Sequence, residues 1–198
     1  MKLNYQWPLP SQSRPIAIIG SGGIVKDAHL PAYQKAEFEV LGVFDINPEQ
    51  SVKIANSWSL KAFESLDSLI SSAQSQNAVF DLALPPSAVA DVLEQLPEQA
   101  TVLIQKPMGS DLEEAKLIKA ICERKKLTAA VNFQLRFSPM MLALKDAMSK
   151  GHLEGILDLE VHLNLETPWE LFPFLKKMER VEIAVHSIHY LDLIRSFL

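Results

Sequence analysis

Gly20, Ser21, Gly22, Gly23 and Ile24 follow an apolar, β-branched run ending at Ile19 and open an amphipathic stretch, so the glycines stand at a strand-to-helix turn. Glycine there lets the backbone turn tightly and approach a pyrophosphate, and the amides of the helix start face the anion. Val25 stands where a third small residue is expected, which predicts a helix set slightly farther from its strand. Asp45 follows the second apolar run, where an acid can hold the 2′-hydroxyl of an adenosine ribose and repel a 2′-phosphate. Ile46, Asn47 and Pro48 supply no arginine for such a phosphate, so NAD is favoured over NADP. Plainer roles exist for both features: a turn that binds nothing, and an N-cap for the helix starting at Pro48.

Lys106 comes just after the run at 101–104. A lysine at the carboxyl edge of a buried sheet lies where doubly wound folds bind ligands. Its ammonium can hydrogen-bond a substrate oxygen and help relay the proton; a lysine that only snorkels from a strand end is the alternative. His186, His189 and Asp192 recur at three-residue intervals on a predicted helix, a spacing that also suits a metal ion. No cysteine is near them.

The elements that must position these groups alternate along the chain. Apolar runs at 15–19, 40–44, 79–84, 101–104 and 128–133 read as buried strands, and amphipathic stretches at 24–35, 48–57, 66–73, 88–96 and 111–126 read as helices. Strands apolar on both faces and separated by helices predict a doubly wound parallel α/β sheet covered on both sides. The serine-rich stretch 57–76 carries Leu60, Phe63, Leu66, Leu69 and Ile70 at structured spacings, so it reads as a short strand and helix rather than a linker. Beyond Arg136 the pattern changes. A helix at 139–149, capped by Gly151, leads into 156–165, where Leu157, Leu159, Val161, Leu163 and Leu165 alternate with polar residues as in a sheet with one wet face. A last helix runs over 183–198. The expected organisation is a nucleotide-binding domain over 1–134 and the incomplete beginning of a second, α+β domain with a mainly antiparallel sheet over 135–198, so the chain reads as part of a longer two-domain protein.

Composition narrows the function classes. Of the 198 residues, 48% are hydrophobic and 22% charged, a balance that buries a core and excludes a disordered or fibrous chain. The net charge of -5 and the lack of a basic cluster argue against nucleic acid as a partner. No run approaches the roughly 20 apolar residues of a membrane span, and residues 1–14 read as an extended arm rather than a targeting segment. Cys122, the one cysteine, cannot form an internal disulfide, so a cytoplasmic location is expected.

The glycine turn, His29-Leu30-Pro31-Ala32-Tyr33, Gln105-Lys106-Pro107 and His189-Tyr190-Leu191-Asp192, taken in that order, make the chain resemble the Gfo/Idh/MocA oxidoreductases from about Pro15 onward. The resemblance implies a Rossmann domain that binds NAD(P) and a second α/β domain that closes the substrate pocket. It makes Lys106 the catalytic lysine of a Glu-Lys-Pro motif, with Gln105 in place of the usual glutamate. It makes His189 the general base that takes the hydroxyl proton, and Asp192 a residue that orients an imidazole or caps a neighbouring element. Val185 stands where members often carry an aspartate. Pro85-Pro86 matches a turn that passes the nicotinamide ribose, with Leu84 removing its hydroxyl and Val89 replacing a frequent histidine. Asn132 and Arg136 match a polar hinge. Trp169, Phe172 and Phe174 line a pocket, an oligomer face or ordinary core.

The implied function is hydride transfer between NAD and a secondary alcohol of a sugar, cyclitol or related polyol. Gly20, Ser21, Gly22, Gly23, Ile24, Asp45, Pro85 and Lys106 then hold the cofactor, Lys106, His189 and Asp192 serve catalysis, no metal is involved, and a homo-oligomer is compatible. A catalytically silent nucleotide-binding sensor or assembly subunit is the competing class, favoured by Gln105, Val185, Leu84 and the short chain.

Overall fold

The computed structural model describes residues 2–156, 158–166 and 180–198. Two compact units are present: Gln12–Asn132, and Met1–Ser11 together with Phe133–Leu198.

The first unit is a five-stranded sheet, parallel throughout, with strands β1 (Ile16–Ile19), β2 (Val40–Phe44), β3 (Val79–Leu82), β4 (Thr101–Ile104) and β5 (Thr128–Val131) in the order β2-β1-β3-β4-β5. Between β1 and β3 the chain changes the direction in which it adds strands, the switch point at which such sheets open a crevice. A sixth position beyond β2 is filled by one parallel bridge, Val43 to Ala62. Gly42 permits it: a Cβ there would lie 2.3 Å from the Lys61 carbonyl oxygen. The serine-rich stretch thus contributes a single bridge and then a helix, in place of the expected short strand and helix.

Helices cover both faces. The first opens as a π-helical turn at Val25–His29 and continues as α1 (Leu30–Lys35); α2 (Pro48–Trp58), α3 (Leu66–Ser75), α4 (Pro86–Gln95) and α5 (Leu112–Arg124) follow. Local chemistry sets their starts. The Asn47 side chain accepts from the Glu49 amide, Ser65 and Ser68 form a reciprocal capping box, and Asp111 accepts from the Glu114 amide. Ile16, Ile18, Val25, Leu30, Val43, Ile54 and Ala55 form the core on one face of the sheet. The larger core, with Phe80, Leu82, Leu93, Ile104 and Ile118, lies on the other. The two sets alternate along β1 with the period of two that a strand imposes.

In the second unit a 3₁₀ turn (Gln134–Phe137) leads to α6 (Pro139–Ser149), and a π-helical turn (Glu182–Ser187) continues into α7 (Ile188–Arg195). The N-terminal arm joins this unit: the Asn4 amide donates to Asp146 Oδ2 at 2.8 Å, and Trp7 packs edge-on to Phe137 with ring centres 4.9 Å apart. The predicted strand over 156–165 does not form among the described residues there. Alternation supplies the faces of a strand but not its partner, and without a partner the backbone groups have no ladder to join. Leu159, Val161 and Leu165 accordingly stay exposed. Trp169, Phe172 and Phe174 lie outside the described residues.

Candidate functional site

Parallel register brings the chemistry-bearing positions of the first unit to one edge. Ile19 pairs with Phe44 and Leu82, Leu82 with Ile104, and Ile104 with Val131, so Gly20, Asp45, Ala83, Gln105 and Asn132 each lie one residue past the end of this row. Ser21 and Lys106 follow directly, and Pro85 comes two residues after Ala83. The predicted cofactor residues therefore share the carboxyl edge of the sheet, where open α/β folds bind ligands.

Each glycine of the turn has a distinct job. Gly20 has φ +96°, its amide donates to the Phe44 carbonyl at 2.8 Å, and a Cβ there would lie 2.4 Å from the Ala83 carbonyl oxygen. Gly22 is exposed, and a Cβ there would meet nothing within 4 Å. The first glycine lets β1 leave the sheet; the second leaves bare backbone facing open space. Val25 is fully buried, and the helix begins as a wider π turn at that residue. Ile24 remains 37% exposed beside the turn.

Asp45 is set in place before any ligand arrives. Its Oδ2 accepts from the Ser21 amide at 2.8 Å and the Ser21 hydroxyl at 2.9 Å, and its Oδ1 accepts from the Asn47 amide at 2.9 Å. Gln50 Nε2 donates to the Ser21 carbonyl at 3.0 Å, which fixes Ser21 from its other side. Asn47, not Asp45, caps α2. A carboxylate offers about four acceptor sites, so Asp45 retains capacity for a hydroxyl donor. The open space at Gly22 and this fixed acid suit a dinucleotide.

Lys106 is half-buried just past β4, and burial lowers its ammonium pKa below the ordinary value. The residue before it is held on both sides. The Gln105 amide continues the ladder to the Leu82 carbonyl at 3.0 Å, and its side-chain Oε1 accepts from the Lys106 amide at 2.8 Å. The Lys106–Pro107 peptide is cis. Pro85, exposed at the N-terminus of α4, is followed by Val89, which is fully buried in the core.

Asp81, which the sequence reading does not single out, gathers His29, Tyr33, Gln105 and Asn132 around one buried imidazole. Asp81 is fully buried in the middle of β3, where its Oδ2 lies 2.7 Å from His29 Nδ1 and accepts from the Tyr33 hydroxyl at 2.8 Å. On the far side of the ring, Gln105 Nε2 is 3.0 Å and Asn132 Nδ2 3.5 Å from His29 Nε2. Burial, then the neighbouring Asp81 charge and hydrogen bond, push the Tyr33 phenol well up. A signal is present in the sequence: an acid inside the apolar run 79–84 must find partners, and His29 and Tyr33 stand four residues apart on the first helix.

His189 and Asp192 belong to the other compact unit. His189 is buried on α7 and packs edge-on to Phe133 with ring centres 6.0 Å apart. Asp192 is gripped by Arg136 through both Nε and Nη2, a fork that raises the arginine pKa. His186 Nδ1 lies 2.7 Å from Glu182 Oε2, one helical turn back, and Val185 is buried. Arg136 therefore ties the 3₁₀ turn to α7 within its own unit. Arg136→Ala is expected to destabilise that unit by about 1–2 kcal/mol, since the pair is only partly shielded from solvent. Urea unfolding followed by the fluorescence of Trp7 in a chain with Trp58 and Trp169 replaced by Phe, with and without Arg136→Ala, reads the change. Among the described residues no three His, Cys, Asp or Glu side chains converge as metal ligands, and no helix is long and apolar enough to cross a membrane.

Comparison with known proteins agrees with this layout. Residues 14–133 match the family model GFO_IDH_MocA, described as an oxidoreductase family with an NAD-binding Rossmann fold. Glucose-6-phosphate 3-dehydrogenase of Bacillus subtilis is 32% identical over 151 residues, 75% of this chain and 42% of that protein. The structure of UDP-N-acetylglucosamine 3-dehydrogenase GnnA from Acidithiobacillus ferrooxidans superposes with a TM-score of 0.58 at 27% identity, covering 69% of this chain and 43% of that one. WlbA dehydrogenase from Bordetella pertussis, solved with NADH and UDP-GlcNAcA, shares the fold with a TM-score of 0.68 at 21% identity, covering 94% of this chain and 59% of that one. The chain thus spans less than half the length of the curated relatives it matches. With its glycine turn, its fixed acid and its Lys-Pro step on one sheet edge, and with a family match that runs across the whole parallel sheet, the chain belongs to the Gfo/Idh/MocA oxidoreductase family.

Proposed function

We propose that the protein is an NAD-dependent oxidoreductase that moves a hydride between nicotinamide and a secondary alcohol of a sugar or related polyol. The observation that carries this reading is the single sheet edge that holds the open backbone at Gly22, the pre-set carboxylate of Asp45 and the half-buried Lys106 past the ends of β1, β2 and β4. Gly20, Ser21, Gly22, Gly23 and Ile24 form the pyrophosphate turn, Asp45 takes the adenosine ribose, and Pro85 borders the nicotinamide end. The dinucleotide supplies the hydride acceptor or donor. Lys106 donates a hydrogen bond to the substrate oxygen, and His189 takes the hydroxyl proton, with Asp192 supporting its helix. The sugar dehydrogenases among the relatives support a sugar as substrate, and the cytoplasm is the compartment we assign.

Asp45 gives the test of cofactor choice. Asp45→Ala is expected to weaken NADH binding by about 10- to 100-fold, the cost of hydrogen bonds to a charged group, and to narrow the preference over NADPH because the repelling charge is gone. Fluorescence titration with both dinucleotides measures it. Equal affinity of wild type and variant for NADH removes Asp45 from the site.

Two observations favour the silent-sensor reading as the runner-up: Gln105 is uncharged, and a buried valine, Val185, stands where the resemblance implies an aspartate. NADH binding without turnover of any member of a sugar and cyclitol panel selects it.

A further inference from the structure

The orientation of the Gln105 amide determines where the proton of a buried histidine sits. The Lys106 backbone N–H can only donate, so the Gln105 atom 2.8 Å away is its carbonyl oxygen. The other end of the amide is then the NH2 group, which also can only donate, and it lies 3.0 Å from His29 Nε2. That nitrogen must therefore be bare. The imidazole proton is on Nδ1, where it meets Asp81 Oδ2 at 2.7 Å. Tyr33 donates to the same oxygen and Asn132 approaches the bare Nε2, so every polar neighbour of the ring agrees with one tautomer.

We propose that Gln105 is a positioning residue for Lys106, and that a buried relay from Asp81 through His29 fixes Gln105 in the one orientation that presents its carbonyl oxygen to the Lys106 amide. The relay rests on the reading of Lys106 as a functional residue only for its purpose; its proton arrangement stands apart from it. The motif predicts a carboxylate at position 105, beside His29 Nε2. The carboxylate stands instead at 81, on the opposite side of the same ring. Moving the charge across the imidazole reverses which nitrogen carries the proton and leaves the group next to Lys106 neutral. The cost is large, because Asp81 Oδ1 is buried without a hydrogen-bond partner among the described residues. A core position opposite Ile18 in the ladder would ordinarily be apolar.

The test is the ring-nitrogen NMR spectrum of the 198-residue chain labelled at its five histidines, with His29 identified as the signal that survives substitution of each of the other four. In wild type at neutral pH, His29 Nδ1 is expected to show a directly bonded proton and Nε2 none. A proton on Nε2, alone or together with one on Nδ1, overturns the proposal. Asp81→Asn combined with Gln105→Glu is expected to reverse the tautomer, because the carboxylate introduced at position 105 must accept at Nε2 while the amide introduced at position 81 donates to Nδ1. The second oxygen of the new carboxylate still accepts from the Lys106 amide in that double variant. Hydrogen exchange at the Lys106 amide is therefore expected to accelerate about tenfold in Gln105→Ala and to stay near the wild-type rate in the double variant. Unchanged exchange in Gln105→Ala overturns the positioning role. These readouts need no bound dinucleotide and no turnover, so loss of the catalytic reading of Lys106 leaves them intact, and the wild-type spectrum decides even where a variant fails to fold.

Discussion

Alanine at Gly20 and alanine at Gly22 are expected to fail in opposite ways. At Gly20 a Cβ would lie 2.4 Å from the Ala83 carbonyl oxygen, and the backbone would have to keep φ near +96°. Neither strand can yield easily, since the Gly20 amide is bonded to Phe44 and the Ala83 amide to the Ile19 carbonyl at 2.9 Å. Overpacking and left-handed strain together cost about 3–5 kcal/mol, a large share of the roughly 5–15 kcal/mol that holds a typical domain folded. Gly20→Ala is expected to unfold at a markedly lower temperature whether or not NADH is present. At Gly22 the added methyl meets nothing, so Gly22→Ala is expected to melt close to wild type while its NADH affinity falls about tenfold or more if, as proposed, the pyrophosphate lies against this turn. Thermal melting and fluorescence titration of both variants separate the two roles. Wild-type NADH affinity in Gly22→Ala removes the turn as the binding site.

Those two glycines show how far the sequence can be read. Their neighbours, β-branched before and amphipathic after, place them at a strand end, and periodicity places the five parallel strands and their helices. What periodicity does not carry is pairing. Residues 156–165 have the alternation of a strand, yet a strand exists only with a partner, and no partner is encoded in alternation. Ala62 shows the converse, a single bridge made possible by a glycine on the adjacent strand rather than by its own pattern. Asp45 is legible as the residue that follows β2, but its bonds to Ser21 depend on the loop's path and carry no sequence signature. Asp81 is hidden for another reason: one acid in an apolar run barely alters the hydropathy of the run, and its partners His29 and Tyr33 come from a helix that precedes it by some 50 residues. Gln105 is visible as a departure from a motif, but its meaning depends on finding a carboxylate on the far side of the same imidazole.

Lys106 carries the prediction with the largest effect on turnover. On the proposed reading, in which Lys106 donates a hydrogen bond to the substrate oxygen, Lys106→Met is expected to lower kcat/KM by about 10²- to 10⁴-fold. Stability is expected to move little or upward. Burial lowers the ammonium pKa in the folded protein, so folding disfavours the charged form; that penalty is full at low pH and fades as pH rises through the folded pKa toward the ordinary 10.5. Methionine is unbranched, one atom shorter and uncharged, so it removes the penalty. The same shift fixes a pH dependence. Turnover that needs the ammonium is expected to decline, as pH rises, before the ordinary lysine value is reached, and Lys106→Arg is expected to lose that limb because a guanidinium does not deprotonate in this range. The measurement is NADH formation against pH with the sugar that the panel identifies. Full turnover in Lys106→Met transfers the hydrogen-bond donor role to another group on the sheet edge, with Asn132, whose backbone N–H donates to the Ile104 carbonyl at 2.8 Å, the first to test, whereas the same alkaline limb in Lys106→Arg assigns that limb to a titrating group other than Lys106.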